Sequence, residues 1–502
     1  MGKSKLRILS CLSAALLLCG LGACKPGEKS PVSGTDPSSA GTGTNTASNE
    51  VIFGSHYIPT WDPTYVDPVT GDIAVSPEQM EVIEAATKAV KDQLGVTIKW
   101  VQWEHGVGED LLPSVLSGKP ICDLAMVSNA SQGGLIEQGI LQSLESYADI
   151  FTSDEDAAWM LMDPVFGKRL FLNFELSHLR TGPLLFNITY IEQVDALKEN
   201  GKTVYPTDLY KQGKWTWSVF QDYLTKIKAY FADKPAPIRP DKMINAFESD
   251  YRFSIRAAML ASGVPIYGEN GFEKCTSPEA IKAVNFIKDL VDKKLLISEL
   301  ENSIYPGFTW ADNNFANGEA VFLDARQWTA QGCGSQLASR GESMGLVPWP
   351  RPDDYAADDP RYQQVSTPND SFILLKGVSA EQSRLALEAY KIYFQTYYAA
   401  KSGGSKSMDF FSDENAEKEA LELNLDVFHE TIGPDILEIF KSYCPMEFND
   451  YSMMLSQMYG FTEIAGKAIY EGTSSFEVGI AENIGALNEA IGKIEAAAEA
   501  IK

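Results

Sequence analysis

Residues that could perform catalysis are few in this chain and poorly spaced for it. The four histidines, His56, His105, His178 and His429, are widely separated, and no stretch matches a nucleophile elbow, a phosphate-binding loop, a zinc-protease helix or an EF-hand loop. Paired carboxylates stay open as a source of acid–base chemistry, because 68 Asp and Glu residues always include chance pairs. We therefore expect no catalytic residue, no metal site and no cofactor.

Binding chemistry is better supplied than catalysis. The chain has 9 Trp, 21 Tyr and 24 Phe. An aromatic ring can cover the apolar face of a sugar, while acidic, amide and basic side chains bind its hydroxyls. Most aromatic residues in any fold belong to the core, however. Trp215 and Trp217, two residues apart at a predicted helix start, are interpreted as packing residues of that kind.

Size and charge narrow the class of protein. The chain has 502 residues with 42 basic and 68 acidic side chains, which gives a formal net charge of -26. This length predicts about two to three domains and is ample for a sizeable core. An excess of negative charge repels phosphates, so we expect no nucleic-acid partner.

Residues 1–23 read as a targeting signal that does not belong to the fold. Lys3, Lys5 and Arg7 form a basic start, and residues 8–21 are an apolar run shorter than a bilayer-spanning helix. Leu21-Gly22-Ala23-Cys24 resembles the lipobox of a bacterial lipoprotein, which implies cleavage before Cys24 and lipid attachment to its thiol. An ordinary secretory signal followed by a chance cysteine is the alternative.

The segment after Cys24 is small, polar and free of aromatic residues up to residue 50. Such a composition cannot bury enough apolar surface to order itself. We predict that residues 24–50 form a lipidated, disordered tether, which spans about 25–30 Å on average. The acidic body discourages binding to anionic lipid, so attachment to the membrane would depend on the lipid.

Four cysteines remain once the signal and the lipidation site are set aside: Cys122, Cys275, Cys333 and Cys444. They are far apart and form no metal-binding pattern, so a zinc site is not expected. Outside the cell they permit two disulfides, and buried free thiols are equally compatible with the sequence.

Strand and helix signals alternate at the start of the body. Ser76-Pro77 is a helix start with an N-cap serine and a proline at the first helical position, and Gly95 ends that helix. This alternation is typical of a mostly parallel sheet with helices on both faces. The predicted strands are residues 51–53, 97–103 and 123–127, and the predicted helices are residues 77–94, 110–117 and 135–144.

The rest of the chain is rich in helix signals, with apolar residues at helical spacing. Short apolar runs between the helices predict further strands. The predicted helices are residues 216–230, 250–262, 277–294, 379–398 and most of the chain from 417 onward, and the predicted strands are residues 320–323, 345–348 and 372–375.

Several segments occur in an order that is typical of one family. They are residues 123–127, residues 139–144, Phe186-Asn187 with Tyr190, residues 209–217, residues 315–322 with Trp328, residues 345–350, residues 372–377 and residues 475–494. Together with the lipobox and the tether, they resemble the extracellular solute-binding proteins of ABC importers, family 1, the maltose-binding-protein-like group. Phe322 departs from the methionine usual in that motif, and residues 351–365 are interpreted as a long polar surface loop.

The resemblance implies an α/β, two-lobed, periplasmic-binding-protein-like (type II) fold with a hinge and an interlobe cleft. We predict lobe 1 over residues 51–186 and 367–430, and lobe 2 over residues 187–366 and 431–502. Ligand would shift an equilibrium between open and closed forms, and the membrane subunits of the importer would recognise the closed form.

The resemblance also implies a function. The chain would be a substrate-binding lipoprotein rather than an enzyme, and it would deliver a carbohydrate, by family likeness an oligosaccharide, to ABC permease subunits. We expect a monomer held by lipid at the extracellular face of the cytoplasmic membrane of a Gram-positive bacterium. The alternatives are a secreted glycoside hydrolase or polysaccharide lyase, and a surface glycan-binding lipoprotein without a transporter.

Candidate ligand residues come from the resemblance and from strand ends. By resemblance, an aromatic residue at the position of Trp328 stacks on the sugar, and Tyr251 lines the cleft. Loops at the carboxyl ends of parallel strands are the default ligand position in such sheets. Core packing, a surface ion pair or a turn are the alternative roles for these residues. The full set is Trp328, Tyr251, Trp61, His56, Ser55, Ser128, Asn129, Asp324, Arg326, Trp310, Asp312 and Asp370.

Overall fold

The first sheet contains β1 (Glu50–Ser55), β2 (Thr97–Gln102), β3 (Leu124–Val127) and β11 (Ser371–Leu374). Its order is β11-β3-β1-β2, with β1 parallel to both neighbours and β11 antiparallel to β3. The predicted parallel arrangement of the first three strands is confirmed. The last strand comes from far along the chain, which closes the edge of the sheet beside β3.

This fold is taken from a computed structural model, which describes residues 49–502 with gaps. The signal segment, Cys24 and the tether up to residue 48 lie outside the described residues. The gaps are residues 57, 59–60, 67–70, 72, 74, 104–106, 154–155, 157–159, 162–163, 175–180, 250, 266, 268–271, 299–309, 363–369, 402–412, 443–464 and 467–474.

Helix α1 (Pro77–Leu94) begins and ends where the sequence predicts. Ser76 Oγ accepts a hydrogen bond from Gln79 N at 3.2 Å, and Gly95 takes a left-handed conformation with φ of 73°. A serine cap satisfies an otherwise unpaired amide of the first turn, and glycine adopts positive φ at little cost. The helix packs on the first sheet together with α11 (Ala380–Lys401).

The helix after β3 differs from the prediction. Residues 135–144 were expected to be helical, but α3 spans Asn129–Glu137 and Gly139 has a left-handed φ of 63°. Leu141 then forms a β-bridge to Leu375. The glycine pair at positions 133 and 134 reads as a loop in the sequence, and the packing of buried Leu135 and Ile136 outweighs that local preference.

The second sheet contains β4 (Thr181–Asn187), β7 (Asn245–Glu248), β8 (Leu296–Ile297), β9 (Ala320–Arg326) and β10 (Met344–Val347). Its order is β10-β4-β9-β7-β8, with β7 parallel to β8 and β9, and β4 antiparallel to β9 and β10. Two further short strands, β5 (Lys198–Glu199) and β6 (Lys202–Thr203), form a separate hairpin.

The remaining helices cover the two sheets. In the middle of the chain, the bounds of these helices agree closely with the predicted bounds. The Ser277 side chain caps the helix that begins at Pro278. They are α2 (Leu112–Leu116), α4 (Ile188–Ile191), α5 (Pro206–Lys211), α6 (Trp217–Phe231), α7 (Tyr251–Ala261), α8 (Pro278–Asp292), α9 (Trp310–Ala316), α10 (Gln327–Ser339), α12 (Asp413–Glu422), α13 (Gly433–Ser442) and α14 (Phe476–Ala500).

Gly318, the glycine of the motif over residues 315–322, is required by the local backbone conformation. Gly318 has a φ of 77°, and the Tyr190 hydroxyl donates a hydrogen bond to its carbonyl at 3.1 Å. A Cβ at this position would lie 2.6 Å from the Tyr190 hydroxyl oxygen. The motif is therefore explained by a turn between α9 and β9 that only glycine fits without strain.

The predicted lobe boundaries need one correction. Residues 181–186 were assigned to lobe 1, but all of β4 pairs within the second sheet, from Thr181 with Arg326 to Asn187 with Met344. Near the other boundary, Leu425 forms a β-bridge to Met344, so this part of the predicted lobe 1 also contacts the second sheet. The hydrogen bonds of β4 belong to the second sheet, so among the described residues the chain joins that sheet at Thr181 and not after Phe186.

Helix α14 contacts elements of both sheets. The Asn488 side chain accepts a hydrogen bond from Phe272 N at 3.1 Å, near the start of α8. Just beyond the C-terminal end of the helix, the carbonyl of Lys502 accepts from Ser143 N and the carbonyl of Ile501 accepts from Lys168 Nζ, both at 3.3 Å. The C-terminal helix therefore links the elements around α8 with those beside the first sheet.

Candidate functional site

The carboxyl edge of the first sheet brings together four of the predicted ligand residues. Ser55 ends β1, and its register partner on β3 is Met126, so Ser128 follows on the same edge. β11 runs the opposite way and pairs Ser371 with Val127, which places Asp370 beside the end of β3. Ser55, His56, Ser128 and Asp370 thus share one edge.

His56 and Asp370 form the charged part of this edge. Their side chains are about one-third exposed, and His56 Nε2 lies 3.7 Å from Asp370 Oδ2. Partial burial raises the pKa of Asp370, and a positive charge on His56 opposes that rise. A carboxylate and an imidazole in partial contact with solvent can each form hydrogen bonds to a hydroxyl-rich ligand.

Three further polar residues at this edge, Gln132, Ser371 and Ser131, were missed by sequence reasoning. Gln132 Nε2 on α3 donates a hydrogen bond to Ser371 Oγ at 2.7 Å, and both side chains are buried. Ser128 Oγ lies 3.1 Å from Ser131 Oγ. The available signal was their position, since Gln132 lies in the first turn of a helix that directly follows a strand.

The carboxyl edge of the second sheet is polar and buried. Ser249 follows β7, and its hydroxyl donates to Asp324 Oδ2 on β9 at 3.4 Å. Ser254 Oγ on α7 donates to Ser249 Oγ at 2.7 Å. Of these three, only Asp324 was predicted from the sequence. Buried polar residues here that sequence reasoning did not single out are Ser249, Ser254, Arg256 and Ser298.

Asp312 is buried on α9, with 5% of its surface exposed. Its carbonyl lies 3.4 Å from Cys333 Sγ on α10. This contact joins α9 at Asp312 to α10. The part of Asp312 in ligand binding stays a prediction.

The remaining candidates fall partly or wholly outside the described residues. Trp328 was expected on a loop, but β9 ends at Arg326 and α10 begins at Gln327, so Trp328 lies in the first turn of a helix. Nothing is described of five candidate side chains, although each lies at the end of a described strand or start of a described helix: Trp328, Tyr251, Trp310, Arg326 and Asn129.

Trp61 packs with aromatic residues of the first sheet and α11. Its ring lies 6.1 Å from Trp100 in a stacked arrangement, 5.7 Å from Phe174 and 5.4 Å from Tyr397. Core packing accounts for these contacts, and a ligand role for Trp61 stays a prediction. The packing role predicted for Trp215 and Trp217 is confirmed, because both are buried and Trp217 stacks on Phe286 at 4.7 Å.

Two chain segments connect the carboxyl edges of the two sheets. The backbone at Leu172 pairs with Phe372 and reaches the first edge at Phe174, and Thr181 begins β4 opposite Arg326 on the second edge. Seven steps along the chain separate Phe174 from Thr181, so these ends lie at most about 25 Å apart. The second connection begins at Tyr362, whose hydroxyl donates to the carbonyl of Trp349 just after β10, and it reaches Asp370 in eight steps, at most about 29 Å. Both polar edges are therefore held within the reach of short connections.

Buried cysteines and a lack of clustered metal ligands characterise the described residues. Cys122, Cys275 and Cys333 are buried thiols that form no disulfide among the described residues, and burial raises the pKa of the Cys122 thiol. Cys444 lies outside the described residues. Within the described part of the chain, no group of three His, Cys, Asp or Glu residues is arranged to hold a metal ion. Among the same residues, no helix is long and apolar enough to cross a bilayer.

Comparison with solved structures shows the fold. The GacH receptor of Streptomyces glaucescens, solved unliganded and with acarbose, has a TM-score of 0.55 and 12% identity, covering 88% of this chain and 98% of that chain. Maltose-bound MalE3 of T. maritima has a TM-score of 0.53 and 15% identity, covering 88% and 99%. UgpB from Mycobacterium tuberculosis, in complex with glycerophosphocholine, has a TM-score of 0.54 and 13% identity, covering 83% and 96%.

These likenesses show the two-lobed α/β fold that the sequence predicted. No curated protein matches the chain by sequence. The model of the bacterial extracellular solute-binding protein family matches residues 82–387, which is more than half of the chain. With two polar strand edges, short connections between them and this match, the chain belongs to the bacterial extracellular solute-binding protein family.

Proposed function

We propose that the protein captures a carbohydrate, and an oligosaccharide above all, between its two lobes and delivers it to the permease subunits of an ABC importer. It acts without catalysis, as a monomer. The lipid on Cys24 and the tether up to residue 50 hold it at the extracellular face of the cytoplasmic membrane of a Gram-positive bacterium.

The observation that carries the proposal is the pair of polar carboxyl edges joined by short connections. The first edge offers His56, Asp370 and Ser128, and the second offers Asp324 with Ser249. Ligands of open α/β sheets bind outside the carboxyl ends of the strands. Neutral hydroxyls, carboxylates and an imidazole suit a ligand rich in hydroxyl groups.

The relatives of known structure support a sugar in preference to other solutes. GacH is described with acarbose and MalE3 with maltose, whereas UgpB is described with glycerophosphocholine. A glycerophosphodiester is therefore the comparison ligand that a binding screen has to include.

The test is a thermal-shift screen of maltooligosaccharides, chitooligosaccharides, other glycans and glycerophosphocholine, followed by calorimetry. A ligand at a hundred times its Kd stabilises the folded state by about 2.7 kcal/mol. We expect a glycan to raise the melting temperature and to be recovered chemically intact. Stabilisation by glycerophosphocholine alone, or cleavage of the glycan, would contradict the proposal and would favour a different solute or a glycoside hydrolase.

Asp370→Asn tests the first edge directly. The amide cannot accept hydrogen bonds on both atoms as the carboxylate does, so we expect ligand affinity to fall by about tenfold. Asp358→Asn, at an exposed position, is the matched control and should bind as the unmodified protein does. Equal affinity of both variants would remove Asp370 from the site.

Cys24→Ser tests the lipid anchor. Without the thiol no lipid can be attached, so the protein should appear in the soluble fraction and lose lipid labelling. Retention of the label would contradict the lipobox. A protein that binds glycan normally but never supports uptake in cells would favour the surface glycan-binding lipoprotein.

A further inference from the structure

A buried carboxylate lies one residue before the second polar edge. Glu248 is the last residue of β7 and only 1% of its surface is exposed. Both of its oxygens accept hydrogen bonds from amides: Oε1 from Asn245 Nδ2 at 2.6 Å and Oε2 from Asn314 Nδ2 at 2.7 Å. A buried carboxylate is tolerated in a folded protein when both of its oxygens accept hydrogen bonds in this way.

The hydrogen bonds continue to the surface through Asn314. Its Oδ1 accepts from Arg239 Nη2 at 2.6 Å, and the same guanidinium pairs with buried Glu319, whose Oε2 accepts from Arg239 Nη2 at 2.6 Å. Arg239 is 42% exposed, whereas the Glu319 side chain is 3% exposed. We call Arg239, Glu319, Asn314, Glu248 and Asn245 the buried polar network.

The network fixes the orientation of Asn314. A guanidinium only donates hydrogen bonds, so the oxygen of Asn314 must face Arg239 and its amide must face Glu248. Oε2 of Glu248 therefore has to stay an acceptor. A proton can enter only at Oε1, where half-buried Asn245 can rotate its amide to present an oxygen instead.

Burial and the charges around Glu248 bring the pKa of its carboxyl close to neutral pH. Burial raises the pKa of Glu248 to about 7, the amides of Asn245 and Asn314 lower it, the charge of Glu319 raises it, and the charge of Arg239 lowers it. These are the charged groups that act on Glu248 from the described elements packed against it.

The network joins the elements that build the second edge. Asn314 belongs to α9, Glu319 precedes β9, and Glu248 is followed by Ser249, which donates to Asp324. Hydrogen bonds to a charged acceptor are roughly twice as strong as neutral ones. Burial outweighs these bonds, because the pKa of Glu248 still lies above its ordinary value. Any opening that exposes Glu248 therefore favours its ionised form, and the protonated form holds α9 against β7 more firmly.

We propose that Glu248 is a positioning residue whose ionisation sets how firmly α9 is held against β7 and, through the Ser249–Asp324 contact, how tightly the second edge binds its ligand. The first half concerns the protein alone, and the second half rests on the proposed function. The two halves are tested by separate measurements.

The ligand-free test is hydrogen exchange over residues 310–316, corrected for intrinsic rates, between about pH 6 and pH 8. We expect about fivefold stronger protection at the lower pH in the unmodified protein, and no such change in Glu248→Gln. Glu273→Gln, at an exposed position of the same half of the chain, is the control and should follow the unmodified protein. Protection that does not change with pH in the unmodified protein would overturn the proposal.

Arg239→Gln keeps the proposal testable if Glu248→Gln does not fold. Loss of the positive charge removes a force that favours the ionised form, so the change in protection should move to higher pH. A transition at the same pH as in the unmodified protein would also overturn the proposal.

The ligand test uses maltotetraose as the probe. We expect its affinity to be about fivefold higher at the lower pH in the unmodified protein and in Glu273→Gln, and independent of pH in Glu248→Gln. Maltotetraose binding with an affinity that does not change with pH would contradict the coupling between Glu248 and the ligand site. Absence of maltotetraose binding together with pH-dependent exchange would contradict the choice of ligand and leave the positioning role supported.

Discussion

The two sheets are packed by different chemistry. The first sheet is covered on one face by aromatic rings, and Phe372 lies within 5.2 to 5.8 Å of Phe174, Tyr390, Phe394 and Phe53. The second sheet also packs aromatic rings but adds the buried polar network beside them. The aromatic face is therefore stabilised by surface burial that does not depend on pH, whereas the buried polar network adds a proton-dependent component.

The largest effect is expected in the aromatic face of the first sheet. Phe372→Ala removes a fully buried ring from the centre of these contacts and should lower the free energy of unfolding by about 3–5 kcal/mol. Urea denaturation measures this change. Phe428→Ala, at a position with 74% of its surface exposed, is the control and should change stability by less than about 0.5 kcal/mol. A similar loss in both variants would undermine the comparison.

The second prediction concerns pH and the second sheet. Glu248 has an ordinary pKa of 4.5 and a pKa of about 7 in the folded protein, so the folded state binds more protons between these values. The stabilising contribution of protonation is complete below the lower value and is lost as pH rises through the upper one. That loss is about 3 kcal/mol. Denaturation curves at several pH values should show it in the unmodified protein and not in Glu248→Gln, and parallel curves would refute it.

The third prediction concerns the turn that begins β9. Gly318→Ala places a Cβ against the Tyr190 hydroxyl and forces alanine into a left-handed conformation. We expect a loss of about 2 kcal/mol in unfolding free energy. Gly341→Ala also has a positive φ but no neighbour within 4 Å of the new Cβ, so the difference between the two variants isolates the close contact.

The smallest effect on stability is expected at the ligand edge of the first sheet. His56 and Asp370 are partly exposed and 3.7 Å apart, so His56→Gln should change the free energy of unfolding by at most about 0.5 kcal/mol. The same variant should weaken ligand binding measurably by calorimetry. A large loss of stability without a loss of affinity would show that the pair supports the fold and not the site.

Sequence patterns among neighbouring residues predicted much of the fold. Ser76, Pro77 and Gly95 mark the ends of α1 because caps depend on residues next to one another in the chain. The parallel order of the first three strands follows from the alternation of strand and helix. Ser55, His56 and Ser128 follow from the general rule about strand ends, whereas Asp370 was singled out at a predicted crossing between the lobes.

Long-range pairing limited the prediction of the second site edge. Glu248 and Asn314 are 66 residues apart in the chain, and Arg239 and Glu319 are 80 apart. Nothing in the sequence around Glu248 distinguishes it from a solvated acid. α3 was misplaced for a related reason, since the contacts that stabilise Leu135 and Ile136 come from other parts of the core.

The entry of the chain into each sheet at its polar edge has a thermodynamic consequence. Asp370 lies where the chain joins the first sheet and also contacts His56 at the ligand edge. The apparent affinity of a protein with two conformations is its intrinsic affinity multiplied by the fraction in the competent form. Under the proposed function, a substitution of Asp370 changes both factors, so the affinity can be retuned through the connecting segments as well as through direct contacts with the ligand.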